Sequence, residues 1–190
     1  MRTRKALVVA AREVFERDGY LDARIVDICS TAKVATGSFY TYFNDKEEIF
    51  AALVEMLQEE MLHPHMSERT GGPRAVIDAA NREYLQSYRR NARLMALFEQ
   101  VAQVDEKFHK LRLERGDAFA RRNAKMIREL QEAGEADPDL DPLVTAHALS
   151  AMVSRMAYMV FVSGVPIGYD DLVDTLNRLW FNGLRLTPSS

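Results

Sequence analysis

The sequence predicts an all-α protein, with an N-terminal three-helix helix-turn-helix domain and a larger C-terminal helical domain, about nine helices in all. Three observations lead there. Apolar residues recur at three- and four-residue spacing along the 190 residues, and the alternating pattern of a strand is missing. Helix breakers fall at intervals: Gly19, the stretch HPHMSERTGGPR, Gly134 followed by EADPDLDP, and SGVPIGYD. Two short helical segments, separated by about three residues, follow a longer first one, which is the spacing of a helix-turn-helix.

Each element has a local reason. The first helix is predicted over about 3–18, with Leu7, Ala10, Ala11, Val14 and Phe15 on one face. Gly19 supplies the left-handed residue that ends helices. The second covers about 25–32 and the third about 36–42. The fourth, about 45–62, has Asn44 or Asp45 as its cap, and Glu47 and Glu48 suit the positive end of its dipole. HPHMSERTGGPR reads as a linker. Further helices follow at about 74–90, 92–105, 106–132, 143–162 and 170–184. The chain therefore divides functionally at about residue 46, into 1–46 and 47–190.

Bulk numbers narrow the class. One cysteine, Cys29, excludes an intramolecular disulfide framework and points to a reducing, cytoplasmic setting. The N-terminal apolar run is too short and too interrupted, by Arg12 and Glu13, for a signal peptide. The most apolar later stretch, LVTAHALSAMVSRMAYMVFVSGV, carries His147 and Arg155 mid-run. It is read as a helix buried in protein rather than a membrane span. Net charge is −3, yet the first 46 residues hold eight Lys/Arg against six Asp/Glu, a surplus of two, which leaves −5 for the remainder. That asymmetry permits a nucleic-acid surface on the N-terminal part.

TGSFYTYF, residues 36–43, is unusual for a core helix. Gly37 lets a backbone approach an outside surface closely. Thr36, Ser38 and Thr41 are short donors and acceptors for phosphates or bases. Tyr40 and Tyr42 carry a hydroxyl tip on a stiff body, while Phe39 and Phe43 anchor the other face. In a helix-turn-helix this segment lies in the DNA major groove.

The run RIVDICSTAKVATGSFYTYFNDKEEIF resembles the DNA-binding segment of the TetR family of bacterial transcriptional regulators. The resemblance spans about residues 4–53 and is most specific at Gly37, Phe39, Tyr40, Phe43, Lys46 and Glu47, preceded by Val26, Asp27, Ile28, Ala32 and Val34. Three positions depart from the family pattern. Arg24 stands where a capping Thr is usual, with Asp22 as the substitute cap. Lys33 replaces the turn glycine. Ala35 replaces the capping Ser, so that Thr36 takes over the cap. The resemblance implies phosphate contacts from Arg24, Tyr40, Tyr42 and Lys46, and base contacts from Thr36, Gly37, Ser38 and Thr41. Arg2, Arg4 and Lys5 either reach the DNA backbone or minor groove, or form a solvated terminus.

A single helix-turn-helix reads few base pairs, so a homodimer on a palindromic double-stranded operator is expected. By resemblance the last two helices pair with their symmetry mates, through Ala148, Met152, Leu172, Leu176, Leu179 and Trp180; closing the monomer core is the alternative. Tyr84, Tyr88, Phe98, Phe108, Phe119, Met126, Met152, Met156 and Met159 are bulky, adaptable side chains. Any one of them suits plain core, and as a set they resemble the effector pocket of such regulators, for a small, mostly apolar molecule. His109, His147, Arg155, Gln100 and Gln103 are available for polar contacts.

Weaker signals are read plainly. His63 and His65 lack a companion Cys or carboxylate cluster, so no metal is expected. RLERGDAFARRNAKMIR reads as a solvated helix face with local ion pairs. No catalytic constellation and no phosphate-binding glycine loop is present, so neither an enzyme nor a cofactor is expected. The reading is a ligand-responsive transcriptional regulator, a repressor. Its alternatives are a DNA-binding protein without an effector and a small helical enzyme or carrier.

Overall fold

The structure is a computed structural model that describes residues 2–62 and 71–186. Among the described residues there are nine helices and no strand: α1 Arg2–Asp22, α2 Ile25–Ala32, α3 Thr36–Phe39, α4 Lys46–Leu62, α5 Pro73–Arg90, α6 Ala92–Val101, α7 Glu106–Glu132, α8 Pro142–Phe161 and α9 Tyr169–Gly183. The all-α fold expected from the periodicity is the fold observed. His63, His65 and most of the expected linker lie outside the described residues.

The chain forms two compact units. The first comprises residues 1–60 and 93–111; the second comprises 61–92 and 112–190. Both α4 and α7 begin in the first unit and end in the second.

In the first unit, α1 buries Leu7, Ala11, Val14 and Phe15 and packs on α2, while Phe15 meets Phe50 of α4. Helix α1 starts at Arg2, so residues 2–5 are helical rather than a loose terminus. Gly19 interrupts it with φ 81° and ψ 171°, backbone angles open to glycine and strained for other residues. The helical turn resumes to Asp22, four residues past the expected end. An aromatic cluster closes this core: Phe50 meets Phe15 at 5.0 Å, Tyr20 at 4.8 Å and Phe108 at 5.1 Å between ring centroids. Burial of each such ring is worth about 1.5–3 kcal/mol relative to exposure.

In the second unit, α9 packs its buried residues Leu172, Val173, Leu176 and Trp180 toward α5 and α8. A polar network fixes the register of α9 on α5. The Asn81 amide donates to Asn177 at 2.9 Å, and the Asn177 amide donates to Asp78. Asp78 also accepts from Arg82 at 3.0 Å, and the Tyr169 hydroxyl donates to the Arg82 carbonyl at 3.1 Å. Asn81 and Asn177 are both buried, and a satisfied buried pair of this kind specifies one packing over its neighbours. Asp141 caps α8 by accepting the Val144 N–H at 2.8 Å, with Pro142 at the first helical position.

Candidate nucleic-acid interface

The approach to α3 is built from two helix ends. At the C-terminus of α1, the Lys46 ammonium donates to the carbonyls of Tyr20 at 2.7 Å and Leu21 at 2.9 Å and lies 5.0 Å from the Tyr20 ring centroid. At the end of α2, Lys33 takes φ 57° and ψ 43°, the left-handed conformation the glycine pattern implied. Its N–H donates to Ser30 at 3.1 Å, and the Val34 N–H donates to Cys29 at 3.0 Å. This closes the helix with the usual left-handed stop. A lysine there costs about 1 kcal/mol relative to glycine.

Helix α3 is shorter than expected. It ends at Phe39, and residues 40–42 form a turn in which the N–H groups of Tyr42 and Phe43 both donate to the Phe39 carbonyl, at 2.9 and 3.0 Å. Gly37, Ser38 and Thr36 are poor helix formers, so propensity does not extend the helix. Its N-cap is Ala35, which offers no side-chain acceptor; the start does not shift to make Thr36 the cap. Phe39 and Phe43, both buried with centroids 5.7 Å apart, hold the segment in place.

The outward side carries the residues singled out from the sequence. Thr36, Gly37 and Thr41 are exposed, Ser38 and Tyr42 are half-buried, and Tyr40 is 57% exposed with its ring edge-on to Phe39. A Cβ built at Gly37 would meet nothing within 4 Å, and the residue has no positive φ. The fold itself therefore gives no reason for glycine at this position. Burial pushes the nearby Cys29 thiol up from its ordinary range, and the Thr36 side chain opposes that shift.

Two expected phosphate contacts are engaged within the protein. Arg24 forms a two-pronged pair with Asp27, at 2.7 and 3.0 Å, and this guanidinium holds the Asp27 carboxyl below the usual carboxylate range. Neither Asp22 nor any other side chain caps α2. Lys46 anchors the α1 terminus as described. The three-residue spacing of Arg24 and Asp27 at a helix start was a readable signal for the first. The second joins residues 25 and 26 apart and had no local signal.

The expected effector cluster divides. Phe98 and Phe108 are fully buried and belong to the first unit, where Phe108 packs on Phe50 and Tyr20. In the second unit Tyr84 lies 5.9 Å from Tyr88 and 5.4 Å from Phe119, and Tyr88 lies 6.4 Å from Phe161. Tyr88 is buried; Tyr84, Phe119, Met126, Met152, Met156 and Met159 are half-buried. Arg115 departs from the solvated face expected for its segment. It is buried beneath Phe119, and its guanidinium donates to the Met61 sulfur at 3.0 Å. Arg121, paired with Asp117 at 2.6 Å, keeps to the solvated reading.

The expected pairing residues also divide. Leu172, Leu176 and Trp180 are buried within their own unit, because α9 turns its apolar stripe onto α5 and α8. Ala148 and Leu179 are exposed and Met152 is half-buried. Leu143 and Val144, which sequence reasoning passed over, extend the exposed apolar side of α8. This helix is long and apolar enough to cross a membrane, with mean hydropathy 1.2, yet only 17% of its most apolar window is buried.

Comparison with known proteins adds a family. Residues 7–53 match the family described as "Bacterial regulatory proteins, tetR family", and these residues contain α2, α3 and the turn just described. Over these residues the chain is similar to the TetR family. Among curated relatives it is 27% identical over 180 residues to the A-factor receptor protein of Streptomyces griseus, covering 95% of this chain and 62% of that protein. It is 26% identical over 152 residues to the transcriptional regulator AcuR of Cereibacter sphaeroides, covering 76% of this chain and 69% of the relative. A solved TetR-family regulator from Rhodococcus sp. superposes with a TM-score of 0.81 at 18% identity, covering 96% of this chain and 98% of the other. That likeness extends the TetR fold over both units. The matched family is described as one of bacterial regulatory proteins.

Proposed function

We propose that this protein is a TetR-type repressor that binds a palindromic operator as a homodimer and is released by a small, mostly apolar effector. The observation that carries the DNA-binding half is Gly37. It sits on an exposed one-turn helix, beside Tyr40 and Thr41, where the fold has no use for a missing side chain. A surface brought against the α3 backbone from outside gives it a use. Tyr40 and Tyr42 then bond phosphate oxygens, while Ser38 and Thr41 meet base edges.

The exposed apolar side of α8, with Leu179 of α9, supports pairing between copies. Two copies related by a two-fold axis present two α3 helices to two half-sites. The aromatic group of Tyr84, Tyr88 and Phe119 supports an apolar effector site in the second unit. A relative named as an A-factor receptor is in keeping with a ligand-binding role. In this reading the effector favours one arrangement of α4, which carries the signal along its own length toward α3; a tenfold release needs about 1.4 kcal/mol of difference in effector affinity between the two states.

The test is selection from a random-sequence duplex pool at fixed, near-physiological salt, followed by a panel of apolar small molecules against the recovered operator. A two-fold symmetric motif, and a compound that weakens its binding, are the expected results. A motif without symmetry removes the dimeric reader, and a full panel without effect on the operator favours a regulator with no effector.

A further inference from the structure

We infer that Arg4 and Lys33, rather than Arg24, are cations through which the α3 face grips the DNA backbone. The inference rests on the DNA-binding reading above and concerns which charges serve it. Residues 2–46 carry eight basic side chains. Arg12 pairs with Glu16, Arg17 with Asp18 and Arg24 with Asp27, while Lys46 is held on two carbonyls. Arg2, Arg4, Lys5 and Lys33 have no carboxylate partner among the described residues. A guanidinium already neutralised by a carboxylate adds little to the attraction for phosphate, because the pair carries no net charge toward the polyanion.

Of the four, two are placed at the edges of the reading segment. Arg4 is exposed on the first turn of α1, with its guanidinium 5.1 Å from the Phe43 ring centroid. Phe43 is the buried residue that closes the α3 turn, so this cation–π contact sets Arg4 beside the end of that turn. Lys33 is exposed at the other edge, two residues before the Ala35 cap. Its left-handed backbone would be less strained with glycine, so its side chain is retained against the stability of the fold. One cation thus stands before α3 and one after it.

The experiment is the salt dependence of operator affinity for wild type, Arg4→Gln, Lys33→Gly and Arg24→Gln, with thermal unfolding of each. Every phosphate contact adds about 0.9 to the slope of log affinity against log salt. Arg4→Gln and Lys33→Gly should each lower the slope by about 2 per dimer and weaken binding by roughly tenfold or more at near-physiological salt. Arg24→Gln should change the slope by less than half as much. Lys33→Gly should unfold at the same or a higher temperature, which separates loss of a DNA contact from loss of structure. A wild-type slope in either Arg4→Gln or Lys33→Gly overturns the assignment of that residue, and a large drop in Arg24→Gln alone overturns the inference while leaving DNA binding intact. Absence of duplex binding by wild type itself would instead remove the DNA-binding reading and this inference with it.

Discussion

Helices α3 and α8 both expose residues that their own units do not need, and they do so with opposite chemistry. The four residues of α3 and the turn after it present hydroxyls, an open glycine and the tip of Tyr40. Helix α8 presents Leu143, Val144, Ala148 and Ala151 along 20 residues. A hydrated, charged partner is met by hydroxyl tips and close backbone, while an apolar partner is met by a long aliphatic side. In the proposed function the same distinction separates the DNA-reading face from the pairing face.

Charge placed on α8 should break the second face with the largest effect. Val144→Glu combined with Ala151→Glu should convert the dimer to monomer in sedimentation. It should also lower operator affinity by about a hundredfold or more, because the two half-sites are then bound independently. An unchanged sedimentation coefficient would mean that pairing lies elsewhere. Next in size is the anchor beneath α3: Phe39→Ala should destabilise the first unit by about 3–5 kcal/mol, read as a fall in melting temperature and loss of operator binding. Tyr40→Phe sharpens the first face. It removes one hydroxyl per subunit, worth about 0.5–1.5 kcal/mol each, so affinity of the dimer for the operator should fall by roughly fivefold to a hundredfold, with melting unchanged.

The smallest effect is a pH dependence. Burial first, and then Glu47, Asp105 and Asp45, push the Tyr20 hydroxyl from 10.0 up to about 12. The folded state therefore holds this proton more tightly than the unfolded state. Its contribution to stability is fully present below about pH 10 and is lost as pH rises toward about 12. Tyr20→Phe should flatten that alkaline limb of the melting curve, and an unchanged limb would assign it to other groups.

The helix-turn-helix was legible because its signals are local. Gly19, the short second helix and the Phe39–Phe43 spacing each act within a few residues. The length of α3 was overestimated because a helical spacing of aromatics continues through residues 40–42 while the backbone closes a turn on the Phe39 carbonyl. What sequence could not order was long-range. Leu172, Leu176 and Trp180 look equally fit for a partner or for a core. Their inward direction is set by α5, whose Asn81 meets Asn177 across 96 residues. Phe98 and Phe108 share the composition of Tyr84 and Phe119, and only the tertiary course of α6 and α7 assigns them to the first unit. At the candidate interface, residue types single out the exposed side of α3, and the internal partners of Arg24 and Lys46 engage two of the side chains expected to reach phosphate.

The measurement that bears most directly on α3 as a reading face is Gly37→Ala, followed by operator affinity and thermal unfolding of the same preparation. Nothing in the fold opposes the added methyl, and alanine favours a helix over glycine by about 0.5–1 kcal/mol. Stability should hold or rise slightly, while affinity for the selected operator falls by about tenfold or more as the methyl meets the DNA, with each lost contact worth about 1–3 kcal/mol. Unchanged affinity in a protein of unchanged or greater stability would contradict the placement of α3 against DNA.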